Sequence, residues 1–155
     1  MSNEHAHPEA LAVATVVPAT SRRATQALVL IVCAGALAAA AMLEPDPRGL
    51  GTHERVGLPP CSFHLLTGIP CPGCGMTTAF ANTVRLRLGA AFMANPFGML
   101  LCAATAALGV FSLACLATGW EAWPQLRRLE HPLFVWGLLT LLFVSWGFKI
   151  LITVA

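Results

Sequence analysis

The sequence predicts an all-α integral membrane protein with three transmembrane helices, one interfacial amphipathic helix and a Cys-rich loop. Its 155 residues are 57% hydrophobic and only 10% charged, whereas soluble domains usually carry about 25% charged residues. The apolar residues are concentrated in three runs of about 20 residues each, the length that a helix needs to cross a bilayer. The chain is short enough for one domain, which we place at residues 22–155.

The N-terminal 21 residues show no sustained hydrophobic period, and we expect a disordered tail there. Ser21-Arg22-Arg23 then precedes the first apolar run, Ala24 to Leu43. Twin arginines before an apolar stretch also resemble a cleavable export signal. Because the run is long for the core of a signal and further spans follow, we favour an uncleaved membrane anchor. Repeated prolines and glycines between Glu44 and Pro60 end this helix.

An amphipathic helix is predicted at residues 76–94, directly after the cysteine-containing segment. Apolar side chains recur there at every fourth residue and form one stripe along a helix. The segment is too charged to cross a bilayer, so we expect it to lie in the membrane interface. Asn95-Pro96 ends it, because the residue before a proline is pushed out of helical geometry. The stripe consists of Met76, Phe80, Val84, Leu88 and Phe92.

The second and third spans are predicted at Phe97 to Thr118 and Leu133 to Val154, separated by a polar connection. Lys149 lies within two turns of the end of the third span, and we interpret it as reaching to the lipid headgroups. Arginines are almost evenly divided between the two ends of the spans. Since the first helix usually decides orientation, we expect a cytoplasmic N-terminus and a Cys-rich loop on the opposite side.

Three of the six cysteines, Cys33, Cys102 and Cys115, lie inside apolar runs, where a thiol behaves as a small hydrophobic side chain. The other three lie in the loop at residues 59–78. Its pattern C-x-x-H, six residues, C-x-x-C supplies four ligands of the kind that tetrahedral zinc prefers. We therefore expect zinc or iron there, and no catalytic residue is assigned. The predicted metal ligands are Cys61, His64, Cys71 and Cys74.

Two alternatives remain open for the loop. Cys71 and Cys74 form a C-x-x-C pair directly before a predicted helix, whose dipole lowers the pKa of a thiol, as in a membrane thiol-disulfide oxidoreductase. Against this, a third thiol is left over and no thioredoxin-like pattern surrounds the pair. The second alternative is a non-catalytic accessory subunit whose cysteines only stabilise the loop, and whose partners are other membrane-protein subunits.

Several other functions are disfavoured. The sequence contains no phosphate-binding or dinucleotide-binding glycine pattern, so we expect no nucleotide cofactor. The net charge of +2 and the lack of a basic stripe argue against nucleic-acid partners. No acidic residue lies within a predicted span, which argues against a carboxylate-driven pump. The expected partner is the lipid bilayer.

The middle third of the chain runs from Cys61 through Cys71-Pro72-Gly73-Cys74-Gly75 to Asn95-Pro96. This pattern resembles that of a family of small bacterial membrane proteins, the domain-of-unknown-function family 2752. The family pattern runs roughly C-P-x-x-x-x-T-G-x-x-C-P-x-C-G-x-T-R and later closes in Asn-Pro. The resemblance implies a multi-pass protein of the bacterial cell (inner) membrane, points at the three cysteines and implies no reaction. Ser62, Thr78 and Leu86-Arg87 depart from the pattern. The matching residues are Cys61, Thr67, Gly68, Cys71, Pro72, Cys74, Gly75, Thr77, Ala91, Phe92, Asn95 and Pro96.

Overall fold

The computed structural model describes residues 19–120 and 132–154. Within these ranges the secondary structure is entirely helical, and three helices are long and apolar enough to cross a membrane. They are α1 (Ala19–Met42), α5 (Pro96–Thr118) and α6 (Pro132–Val154). The predicted fold class is thereby confirmed. The expected tail lies outside the described residues except for its last three, which belong to α1, and most of the connection before α6 also lies outside them.

Four short helices lie between α1 and α5. They are a 3-10 helix (Thr52–Val56), α2 (Ser62–Thr67), α3 (Met76–Thr83) and α4 (Leu88–Ala94). We call residues 43–95 the cap, because they cover one end of the three long helices.

The stretch predicted as one amphipathic helix is divided into α3 and α4 by a turn at residues 84–87. The carbonyl of Asn82 accepts hydrogen bonds from the N–H groups of both Arg85 and Arg87. Leu86 has a left-handed backbone with φ of 59°, a conformation that interrupts a helix. Because of this turn, α3 and α4 can pack against each other within the cap, whereas one straight helix would extend beyond it.

The cap and the start of α5 pack closely because the side chains between them are small. Ala79, Ala81 and Ala91 are completely buried. A Cβ atom added to Gly98 would lie 3.1 Å from the Cβ of Ala79, tighter than ordinary contact. Along the membrane-length part, α1 packs on α5 where Gly109 meets Cys33. Like Cys33, both Cys102 and Cys115 are free and buried, as the sequence predicted.

Polar side chains hold the cap to the long helices. The guanidinium of Arg85 donates to the carbonyls of Ala40 (3.2 Å) and Ala41 (2.7 Å) in the last turn of α1. These carbonyls have no partner within the helix, and a cation is favourable at this end of its dipole. On the other side, the indole Nε1 of Trp146 in α6 donates to the carbonyl of Pro70 (2.7 Å). The cap therefore joins α1 and α6, which are distant in sequence.

Lys149 does not extend freely outward from the end of α6, as the snorkelling interpretation expects, because the cap covers it. Its side chain is only 5% exposed, and its ammonium donates to the carbonyl of Met93 at 3.2 Å. The ring of the preceding residue, Phe148, packs against Phe92 of α4, with centroids 5.3 Å apart. Because α4 covers this end of α6, Lys149 faces the cap.

Candidate metal centre

Two short turns bring the cysteines of the loop together. Cys61 immediately precedes α2, which ends at Gly68 in a left-handed conformation. The chain then returns through Pro70 to a tight turn in which the N–H of Cys74 donates to the carbonyl of Cys71 (2.9 Å). This turn places the two Sγ atoms of the C-x-x-C pair 3.1 Å apart.

The sulfur atoms of Cys61, Cys71 and Cys74 all lie within 4.8 Å of one another, and all three thiols are free. In tetrahedral zinc sites with Zn–S bonds of about 2.3 Å, sulfurs are separated by roughly 3.8 Å. Among residues 19–120 and 132–154, no other group of Cys, His, Asp or Glu comes together in this way. Cys74 is buried and the other two are half-buried, so one side of the cluster can be reached from outside.

His64, the predicted fourth ligand, lies on α2 but is not part of the group defined by these mutual distances. Its Nδ1 atom is buried and has no hydrogen-bond partner in the described part of the chain. A buried ring nitrogen without a partner is unfavourable. The sequence spacing thus brings His64 near the cluster without completing a four-ligand arrangement.

The pKa values of Cys61 and Cys74 are shifted in opposite directions. The pKa of Cys61 is lowered, chiefly because its sulfur faces the backbone N–H of His64, although the geometry falls short of a formal hydrogen bond. Burial raises the pKa of Cys74 to about 12, and the neighbouring Cys71 thiol adds to the effect. Cys61 is therefore the more readily ionised of the two, while Cys74 stays protonated at neutral pH unless a cation replaces its proton.

Asn95 fixes the position of the C-x-x-C turn. Its side chain is 2% exposed, and its Nδ2 donates to the carbonyls of Pro72 (3.3 Å) and Cys74 (3.2 Å). Its Oδ1 accepts from the N–H of Gly98 (2.8 Å) at the start of α5 and from the hydroxyl of Ser145 in α6 (3.2 Å). Sequence reasoning identified Asn95 only as a helix terminator. Its place in the family pattern was the signal that could have indicated more.

Gly75 is the point of closest backbone approach. Its φ is +82°, and a Cβ atom there would collide with the carbonyl oxygen of Ala94 and lie 2.7 Å from that of Gly49. Only glycine fits such a position. The residue after the C-x-x-C pair is thus clamped between two other segments of the cap.

Thr78 is one of the positions at which the sequence departs from the pattern that it resembles. In this chain its hydroxyl lies 2.7 Å from that of Thr52, and both side chains are buried. Thr52 also accepts the backbone N–H of Asp46 (3.0 Å). The departure from the family pattern is therefore accommodated by a compact, hydrogen-bonded pair.

A family model described as "Protein of unknown function (DUF2752)" matches residues 61–110. The matched segment contains the three clustered cysteines, Asn95 and the first two-thirds of α5. It confirms the resemblance drawn from the cysteine pattern. No curated protein and no solved structure matches the chain.

Proposed function

We propose that this protein of a family without assigned function binds one thiophilic metal ion, zinc or iron, in its Cys-rich loop. The observation that carries the proposal is the convergence of three free thiols, Cys61, Cys71 and Cys74, within 4.8 Å of one another. Thiolate sulfur is the ligand that zinc and iron–sulfur chemistry prefer. The scaffold that presents them has three helices able to cross a membrane.

The fourth coordination position is proposed to be His64 or a water molecule. The unpartnered, buried Nδ1 of His64 supports a role for the imidazole as this ligand. Three protein ligands with an open fourth position would instead resemble a reactive centre, since structural zinc sites are usually closed by four protein ligands. The His64→Ala variant separates these cases: metal affinity falls by about tenfold or more if the ring binds, and is unchanged if water does.

The proposal is tested by measuring zinc and iron in full-length protein purified in detergent. The loop variant C61A/C71A/C74A is compared with C33A/C102A/C115A, which removes the same number of thiols from the long helices. We expect about one ion per chain in the wild type and in the helix variant, and at least about a tenfold loss in the loop variant. Equal, substoichiometric metal in all three proteins would refute the proposal.

The pH dependence of metal affinity provides a second test. Cys74 has a pKa of about 12, so binding must displace its proton, and the other ligands must also be deprotonated. Metal affinity should therefore fall by about tenfold or more for each unit of decreasing pH between 8 and 6. An affinity independent of pH would contradict coordination by these thiols.

A thiol-disulfide oxidoreductase is the second candidate, favoured by the 3.1 Å separation of the Cys71 and Cys74 sulfurs. In that reaction the two thiols become a disulfide while a partner disulfide is reduced to two thiols. The raised pKa of Cys74 makes it a poor attacking group. Titrating the thiols of metal-free protein in glutathione buffers tests this alternative, which fails if the pair does not oxidise reversibly.

For localisation, we propose the bacterial inner membrane, with a cytoplasmic N-terminus and the cap on the opposite side. The proposal rests on the twin arginines that precede α1, because the first helix usually decides the orientation. Arg48, Arg85 and Lys149 belong to the capped end, and their charge alone would favour the opposite orientation. An impermeant thiol reagent applied to intact cells should label Cys61. If Cys61 is labelled only after the cells are broken, the cap lies on the cytoplasmic side and the proposed orientation is wrong.

A further inference from the structure

A cavity of about 530 Å³ lies between the cap and the end of α6, within the range of about 300–1,000 Å³ that small-molecule sites occupy. The segment after α1, the helices α3 and α4, and the last two turns of α6 form its walls. Three cationic side chains line it, Arg48, Arg87 and Lys149, together with the carboxylate of Asp46. It is separate from the cysteine cluster, none of whose sulfur-bearing residues line it.

Lys149 is the buried charge of this cavity. An ammonium group has three N–H donors, and one of them is used by the carbonyl of Met93. Among the described residues no carboxylate lies within ion-pair distance of it. A Cβ atom added to Gly49 would lie 3.5 Å from its Nζ, so the ammonium lies beside the segment that follows α1. A buried cation without an anion is strongly unfavourable, and an anionic ligand would remove that penalty.

Asp46, the only carboxylate among the described residues of the cavity wall, is already paired. Asp46 accepts two hydrogen bonds from the Arg48 side chain (3.1 and 3.0 Å) and lies 3.7 Å from the guanidinium of Arg55. The Arg48 guanidinium holds the pKa of Asp46 at about 2, so the carboxylate remains charged and paired at neutral pH. No carboxylate in the described walls of the cavity forms an ion pair with Arg87 or Lys149.

The same cavity also has an apolar side, formed by Leu50, Met93 and Ile152. Lys149 lies five residues before the end of a helix long and apolar enough to cross a membrane, where lipid headgroups would be found. Basic pockets between such helices bind anionic headgroups. A polar wall with excess positive charge beside an apolar wall matches the two parts of a phospholipid.

We propose that this cavity binds a phosphate group, with Lys149 as the buried donor and Arg87 as the donor at its mouth. The phosphate belongs either to an anionic membrane phospholipid or to a small soluble phosphate compound. The apolar wall favours the phospholipid. Such a site is a second function of the cap, formed by residues other than the clustered cysteines.

The test titrates full-length protein in neutral detergent with phosphatidylglycerol, with zwitterionic phosphatidylcholine and with inorganic phosphate, and follows the thermal midpoint. We expect saturable stabilisation by phosphatidylglycerol that weakens by about tenfold or more in K149M and by several-fold in R87Q. R23Q is the matched control, because Arg23 is an exposed cation in α1 that does not line the cavity. Stabilisation by inorganic phosphate alone, lost in the same variants, would assign the site to a soluble phosphate.

Stabilisation by phosphatidylglycerol that is equal in K149M, R87Q and R23Q would overturn the proposal, because it would reflect general attraction of charge. So would the absence of any effect from both phosphatidylglycerol and inorganic phosphate. If K149M does not fold, R87Q against R23Q decides the outcome, since the Arg87 side chain is exposed and its removal leaves the core intact.

Discussion

The cap and the three long helices are built by opposite rules. In the cap, small and polar side chains such as Ala79, Thr52 and Asn95 are buried, and hydrogen bonds join segments far apart in sequence. In the long helices, large apolar side chains such as Leu28 and Val110 face outward, as expected where lipid replaces water. The structure of the long helices therefore depends mainly on their apolar composition, whereas the structure of the cap depends on specific contacts of a few residues.

The largest expected effect comes from Gly75→Ala. The new Cβ would collide with the carbonyl of Ala94 and also occupy a backbone with φ of +82°, so we expect the cap to lose about 3 kcal/mol or more of stability. Thermal unfolding in detergent and metal content would measure it.

Gly68→Ala is the matched control for Gly75→Ala. Gly68 has a similar φ of +70°, but nothing lies within 4 Å of an added Cβ. Only the left-handed backbone penalty of about 1–2 kcal/mol applies there. Equal losses in the two variants would show that Gly75 is not clamped between Ala94 and Gly49.

A smaller effect is expected from Asn95→Asp, which keeps the size of the side chain. The two acceptor contacts survive, but the donor to the carbonyls of Pro72 and Cys74 becomes an oxygen that repels them. We expect the protein to lose about 2–3 kcal/mol of stability and to bind metal more weakly. Thermal unfolding in detergent and metal content would measure the two effects. Asn82→Asp should lose less, because the Asn82 amide donates to a single carbonyl, that of Thr78. The reverse order would contradict the role of Asn95.

The smallest effect is expected where the cap meets a long helix. Trp146→Phe removes the hydrogen bond to Pro70 and should destabilise the protein by about 1 kcal/mol. Trp136→Phe changes a side chain of the same helix that is 67% exposed, and we expect no measurable change in detergent. If both substitutions had the same effect, the hydrogen bond from Trp146 to Pro70 would contribute nothing to the stability of α6 against the cap.

How much could be predicted from the sequence follows the same division. The positions of α1, α5 and α6 were accessible because apolar runs of the right length depend on nothing else in the chain. The grouping of Cys61, Cys71 and Cys74 was accessible because their spacing is local. The burial of Lys149 and the role of Asn95 were not, since each depends on contacts with segments 20 to more than 50 residues away. The turn at Leu86 was hidden by an apolar stripe that continues through it.

The hydrogen bond from Trp146 to Pro70 spans 76 positions of the chain, and this has a consequence for biosynthesis. At about 5–20 residues per second, the ribosome adds Trp146 about 4–15 seconds after Pro70. During that interval the nascent cysteine loop lacks its hydrogen bond from α6, so its thiols are less constrained than in the finished fold. Metal binding to the loop can therefore precede the contact between Pro70 and α6.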